Sequence, residues 1–181
     1  MSKISIKHGK VEMNHGAGGK AMHNIIQQLF FKAFDNPLLA QQNDQACFTV
    51  PTNRLAMTTD SYVISPIFFP GGDIGSLAVH GTINDLAMSG ATPLYLSVGF
   101  ILEEGFALAD LKIIVESMAT AAKNANVQII TGDTKVVEKG KGDGVFINTT
   151  GIGVIDDSIK LTNQIQPGDK IIVSGTNNFI S

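Results

Sequence analysis

Residues 58–91 constrain this chain more than any other stretch, because two carboxylate-centred clusters stand at opposite ends of a Gly- and Pro-containing connector. The first cluster is Thr58-Thr59-Asp60-Ser61-Tyr62, and the connector is Phe68-Phe69-Pro70-Gly71-Gly72-Asp73. An apolar run leads into Thr59-Asp60, so the Asp60 carboxylate is expected where a strand ends. In the second cluster Leu77, Ala78, Gly81, Leu86 and Ala87 recur at helical spacing, which places Asn84-Asp85 on a helix packed close to a neighbour. Carboxylates are seldom fully buried unless they are paired or hold a cation. The two acids therefore read as half of a magnesium–nucleotide site.

A chain of 181 residues, 44% of them hydrophobic, is long enough for one generous domain with a real core, or for one domain and the start of a second. The net charge of −3 and the lack of any Lys/Arg run argue against nucleic acid or an anionic membrane as partner. No 18-residue apolar stretch occurs, and the first residues carry no signal-peptide core. A single cysteine, Cys47, excludes an internal disulfide framework and fits a reducing cytoplasm. Cys47 itself is expected to be a small core residue. None of the four histidines (8, 15, 23 and 80) has metal-ligand spacing with it.

Along the chain, Ile4, Ile6 and Val11 suggest an edge strand or a loose arm. His15-Gly16-Ala17-Gly18-Gly19-Lys20 then runs into an amphipathic helix over about 19–34, with Met22, Ile25, Ile26, Leu29, Phe30 and Ala33 on one face. Glycines opening a helix either present bare amides to a phosphate or make a tight turn. The spacing is neither a P-loop nor a dinucleotide fingerprint. After Asp35-Asn36-Pro37 ends the helix, a hairpin is expected, with strands 47–50 and 54–58 joined by Pro51-Thr52-Asn53. That hairpin would bring Asp44 and Asp60 together from positions sixteen apart. Taken singly, each acid is equally well explained as a turn or cap residue.

Thr92-Pro93 reads as a break before a strand at 94–102, and 109–125 as a second helix, with Leu111, Ile114, Val115, Met118 and Ala122 on its face. A buried strand at 127–130 ends in Thr131-Gly132-Asp133-Thr134-Lys135, presenting another carboxylate or simply capping a loop. Lys139-Gly140-Lys141-Gly142-Asp143-Gly144 has the composition of a mobile loop, either a solvated linker or a flap over phosphates. A long strand at 145–155 is read as interrupted by Asn148-Thr149-Thr150-Gly151. The cluster at 155–168 is the one plausible domain boundary. Lys170-Ile171-Ile172-Val173-Ser174-Gly175 reads as the opening strand of a second domain, so the expected division is 1–157 and 158–181.

Several motifs stand in a fixed order. They are Asn43-Asp44-Gln45-Ala46, Thr59-Asp60-Ser61-Tyr62-Val63, Phe68-Phe69-Pro70-Gly71-Gly72, Gly81-Thr82-Ile83-Asn84-Asp85-Leu86-Ala87-Met88-Ser89-Gly90-Ala91, Gly99-Phe100-Ile101-Leu102-Glu103-Glu104-Gly105 and Thr131-Gly132-Asp133-Thr134-Lys135-Val136-Val137. With them the chain closely resembles the HypE family of hydrogenase maturation factors, within the superfamily of aminoimidazole ribonucleotide synthetase (PurM), thiamine-monophosphate kinase and selenophosphate synthetase. The resemblance implies an α/β (α+β) domain with a mixed sheet and helices on one face. Two such sheets would join in a homodimer into a shared β-barrel, with ATP in the cleft between them. It implies an ATP-dependent carbamoyl dehydratase that converts a carbamoyl group, received from HypF on a C-terminal cysteine, to a thiocyanate. The cyanide then passes, with HypC and HypD, to the iron of a [NiFe]-hydrogenase.

By the same resemblance Asp44, Asp60, Asp85 and Asp133 belong to the magnesium environment. Gly18, Gly19, Asn43, Asp60, Asn84, Asp85, Asp133, Thr134 and Lys135 belong to the ATP site. Carboxylates without His or Cys are the ligand chemistry of a hard cation such as Mg²⁺. Phosphorylation of the carbamoyl oxygen would turn it into a leaving group, with magnesium and lysine offsetting the charge on the transferred phosphoryl. The family's C-terminal cysteine has no counterpart here, and this polypeptide alone is expected not to complete the dehydratase cycle. Two other readings stand beside this one: a non-catalytic dimeric module that binds nucleotide or HypC and HypD, and another ATP-dependent enzyme of the superfamily.

Overall fold

Small residues on one side of a helix let a second helix approach closely, and the 74–88 region is built this way. The computed structural model describes residues 5–43, 45–159 and 165–170. Helix α3 (Ile74–Met88) starts at Asp73, whose carboxylate accepts from the amides of Gly75 and Ser76 at 2.7 and 3.1 Å. The Ser76 hydroxyl accepts from the Asp73 amide in return at 3.1 Å, closing a reciprocal cap. The buried face of α3 carries Ile74, Gly75, Ala78, Val79, Thr82 and Leu86. It packs on helix α4 (Leu108–Asn124), which buries Leu111, Ile114, Val115 and Met118.

Both helices cover one face of a four-stranded sheet in the order β1-β6-β4-β5: β1 (Leu55–Tyr62), β6 (Val145–Ile155), β4 (Ala91–Glu103) and β5 (Gln128–Val137). β4, α4 and β5 form a parallel crossover unit, and the other two pairings are antiparallel. A two-stranded ribbon, β2 (Phe68–Phe69) with β3 (Gly72–Asp73), leads into α3. The fold is thus mixed α/β, with a mixed sheet and helices on one face.

Among the described residues the other sheet face carries no helix. There Leu55 and Met57 of β1 are 51% and 71% exposed and Ile101 of β4 is 45% exposed, although the alternating pattern would let all three be buried by a cover. The N-terminal segment instead flanks the β5 edge. Its helix runs from Gly19 to Ala33, as α1 (Gly19–Ile25), a π-helical turn (Ile26–Phe30) and α2 (Phe31–Ala33), close to the expected 19–34. Just beyond its end, the Asn36 side-chain amide donates to the carbonyls of Phe34 and Ile129 at 2.7 and 2.9 Å and so ties the helix end to β5. Ahead of the helix, Lys10 makes a single bridge to Ala107 and Val11 is buried in the core, which fits an arm better than a strand.

Several expectations require correction. The hairpin 47–50/54–58 is not formed: residues 47–50 carry no strand, and β1 pairs instead with β6, from Leu55–Val154 to Tyr62–Ile147. An uninterrupted partner strand supplies more ladder bonds than a four-residue strand running into a proline that has no amide hydrogen. Asp60 consequently lies inside β1 rather than at its end. Cys47 is exposed, not a core residue, because the strand that would have buried it does not form.

Pro93 does not break the chain but sits inside β4 at the register shift between Pro93 and Tyr95, where a missing donor is tolerated. β5 does not stop at Ile130; its parallel ladder with β4 continues from Thr131–Ser97 to Val137–Glu103, which makes Asp133 a mid-strand residue. β6 is likewise continuous through Asn148-Thr149-Thr150-Gly151. The strand expected from Lys170 lies, beyond that residue, outside the described residues.

Candidate functional site

β1 and α3 together assemble a polar ladder at the helix-covered face. Thr58, Asp60 and Tyr62 alternate onto that face, opposite Gly151, Thr149 and Ile147 of β6. α3 supplies Asp85 and Thr82 one turn apart. The Thr58 hydroxyl donates to Asp85 Oδ2 at 3.0 Å, and the Tyr62 hydroxyl donates to Asp60 Oδ2 at 3.1 Å. Behind Tyr62, the Thr82 hydroxyl lies 3.2 Å from the phenol and bonds Thr149; both threonines are fully buried. Burial pushes the Tyr62 phenol above its usual pKa and the neighbouring Asp60 carboxylate adds to that, so the phenol keeps its proton and donates it. A Cβ at position 81 would collide with the Tyr62 hydroxyl oxygen, so Gly81 is what lets the phenol reach Thr82.

The opposite face carries the other acid. In one row across the sheet, Ser61 opposes Asn148, Asn148 opposes Gly99, and Gly99 opposes Asp133. The Asn148 amide donates to the Asp60 carbonyl at 2.9 Å and to the Ser61 hydroxyl at 3.1 Å, fixing the β1 backbone beside Asp60. Asp133 is exposed and pairs with Lys135 at 3.2 Å. Three strand spacings separate its row position from β1, about 14 Å.

At the β5 edge, a cleft of 460 Å³ opens between the π-helical turn and the strand. Ile26, Phe30 and Leu39 form an apolar floor, with Asn43 and Asp133 on the lining. Gly18 and Gly19 adopt left-handed φ of 83° and 77° with open space where side chains would stand.

One chain therefore gathers Asp60 and Asp85 at the β1 edge, with Asn84 exposed beside Asp85 on α3. It gathers Asp133, Lys135 and Asn43 at the β5 edge, near the Gly18-Gly19 loop that follows Gly16 against Val136, while Thr134 is buried on the opposite face of the same strand. It does not bring the two groups to a common point. Asp44 lies outside the described residues. Among the described residues no three His, Cys, Asp or Glu side chains are placed to hold a metal. Carboxylate and hydroxyl oxygens with a lysine nearby nevertheless suit Mg²⁺, which is usually held by one or two carboxylates together with phosphate oxygens.

Sequence reasoning missed Tyr62, Thr82 and Thr149. Period-two reading of β1 against the i, i+3 and i, i+4 positions of α3 would have found the first two, but Thr149 needed the β1–β6 register. It also missed the tether on the Gly-rich loop. Glu103 accepts from the amides of Gly140 at 2.6 Å and Gly144 at 2.9 Å, and these bonds hold its carboxyl below the usual pKa range.

His15 opens the Gly-rich run and has no metal-ligand spacing in the sequence. It is buried, its Nδ1 accepts from the Glu12 amide at 3.0 Å, and burial lowers its pKa below the ordinary 6.5. Between that lowered value and 6.5 the unfolded chain binds more protons. The stabilisation is thus complete above pH 6.5 and is lost as the pH falls through the folded-state value. Thermal melts from pH 8 to pH 5 are expected to show this acid loss, with a shallower slope in His15→Gln.

Residues 42–155 match the family described as AIR synthase related protein, N-terminal domain. The chain belongs to that family. It is 62% identical to the carbamoyl dehydratase HypE of Azotobacter vinelandii, over 97% of this chain and 52% of the relative. A crystal structure of hydrogenase maturation protein HypE in complex with ATP superimposes with a TM-score of 0.78 at 58% identity, covering 79% of this chain and 42% of that one. A chain of the HypE–HypF complex superimposes with a TM-score of 0.56 at 55% identity, covering 72% and 42%. The HypE resemblance drawn from the motifs is borne out. The chain spans about half the length of the curated relatives it matches. No helix among the described residues is long and apolar enough to cross a membrane.

Proposed function

We propose that this domain is the ATP-binding, dimerising part of a HypE-like carbamoyl dehydratase that serves [NiFe]-hydrogenase maturation in the cytoplasm. The observation that carries the reading is the ATP complex of a HypE 58% identical over this domain. The oxygen-only donor set at the β1 and β5 edges supports it. Residues 1–157 make up the domain, and 158–181 lead into a second one.

Asp60 and Asp85, together with Asp44 and Asp133, would supply the oxygen ligands of magnesium. Gly18 and Gly19 turn backbone amides toward the phosphates, and Asn43, Asn84 and Thr134 flank the nucleotide. Lys135, oriented by Asp133, faces the transferred phosphoryl. Magnesium, when bound, neutralises phosphate charge and assists displacement at the γ-phosphorus. In this reading the nucleotide lies where two copies of the chain meet, so that the β1-edge acids of one copy and the β5-edge acids of the other can both reach it. Leu55, Met57 and Ile101, exposed on the sheet face opposite the helices, support such a homodimer. HypF, known in complex with a HypE relative, is the proposed macromolecular partner, followed by HypC and HypD.

Calorimetric titration with ATP in the presence of Mg²⁺ tests the site. Binding is expected for the parent chain, with affinity reduced about tenfold or more in Asp60→Asn and in Asp133→Asn. No heat with the parent chain would end the reading. Turnover separates catalysis from a purely binding role, the second reading. A binding module would engage HypC and HypD without hydrolysing ATP.

A further inference from the structure

We infer that Tyr62 is a positioning residue for Asp60, held by a relay of buried hydroxyls that runs from β6 through α3 to the carboxylate. This rests on the reading of Asp60 as a ligand of the magnesium–nucleotide site. Three contacts join the four side chains: Thr149 to Thr82, Thr82 to Tyr62, and Tyr62 to Asp60. An ionised carboxylate can only accept, so Tyr62 must give Asp60 its single proton. Thr82 must then donate to the phenol oxygen, and Thr149 must donate to Thr82.

Thr149 also reaches the Ala78 carbonyl at 3.2 Å, which offers the relay a competing end. The charge on Asp60 decides the direction, because hydrogen bonds to an ionised acceptor are about twice as strong as neutral ones. The bonds then polarise one another in a low-dielectric setting. The result fixes Asp60 from two sides, its carboxylate by Tyr62 and its backbone by Asn148. Neither Tyr62 nor the two threonines need touch the ligand.

The test compares Tyr62→Phe, Thr82→Val and Thr82→Ser with the parent chain at one fixed, neutral pH. Tyr62→Phe is expected to weaken binding of Mg²⁺–ATP roughly five- to twentyfold while Phe keeps the ring packing. Thr82→Val is expected to weaken it less, and Thr82→Ser, which restores the hydroxyl, to bind within about twofold of the parent. A merely structural role would not follow the hydroxyl in this way. If Asp60→Asn loses binding but Tyr62→Phe and Thr82→Val bind like the parent, the relay has no positioning role. If the parent binds no Mg²⁺–ATP, the site reading fails on its own. The relay is then decided by the carboxyl ¹³C resonance of Asp60, assigned by its loss in Asp60→Asn. That resonance must move in Tyr62→Phe and Thr82→Val and stay in Thr82→Ser; an unmoved resonance in the first two overturns the inference.

Discussion

Gly75→Ala is expected to destabilise the domain by about 2 to 3 kcal/mol, although alanine is the better helix former. On a free helix the exchange would gain roughly 1 kcal/mol. Here the new Cβ would meet the backbone carbonyl oxygen of Ile114, and it would stand 2.8 Å from Met118 Cγ and from Asp73 Oδ1. A side chain can swing aside, but the carbonyl is fixed by the α4 hydrogen-bond ladder. The helices must therefore separate, and each loses dispersion contacts along a face whose Leu111, Ile114, Val115 and Met118 are fully buried. The cap at Asp73 is disturbed by the same atom. For a domain of this size, thermal unfolding should fall by roughly 5 to 10 °C. A melting temperature equal to or above that of the parent would show that α3 and α4 are not locked at this crossing.

Introducing charge on the uncovered sheet face should have a large effect on association. On the homodimer proposed above, the double variant Met57→Lys/Ile101→Lys is expected to sediment as a monomer at concentrations where the parent chain sediments as a dimer. Two ammonium groups desolvated without partners in an interface cost several kcal/mol, so dimer affinity should fall roughly a thousandfold or more. Neither side chain packs into the core of its own chain: Met57 is 71% exposed and Ile101 45% exposed. The monomer's melting behaviour should accordingly change little more than the lost association requires. Sedimentation velocity distinguishes the outcomes. A parent chain that is itself monomeric at micromolar concentration, or a double variant that still dimerises, would remove the basis for a nucleotide shared between copies.

How much was legible beforehand differs from residue to residue. Helices 19–33 and 74–88 were visible because their apolar or small residues recur every three or four positions, a local signal that needs no partner. Asp85 on α3 followed from it. Asp60 was found as a chemical group but misplaced as a strand end, and Asp133 likewise. Both lie inside strands lengthened by pairings with β6 and β4 that no local pattern announces. The false hairpin at 47–58 had the same origin: turn residues were correctly read as a bend, but the partner of β1 turned out to be some ninety residues away, as in the Asp60–Thr149 pairing.

What the amino-acid order determined by itself is the family. Hard oxygen donors, glycines before a helix, and small residues on α3 stand at fixed intervals, and such signals survive in one dimension. Only the tertiary structure decided which acids share a face. Strand alternation turns Asp60 toward α3, and the sheet order carries Asp133 to the other side, three strands away. The buried relay from Thr149 to Asp60 depends on strand register as much as on residue type. A one-residue shift of β1 would turn Asp60 and Tyr62 to the opposite face.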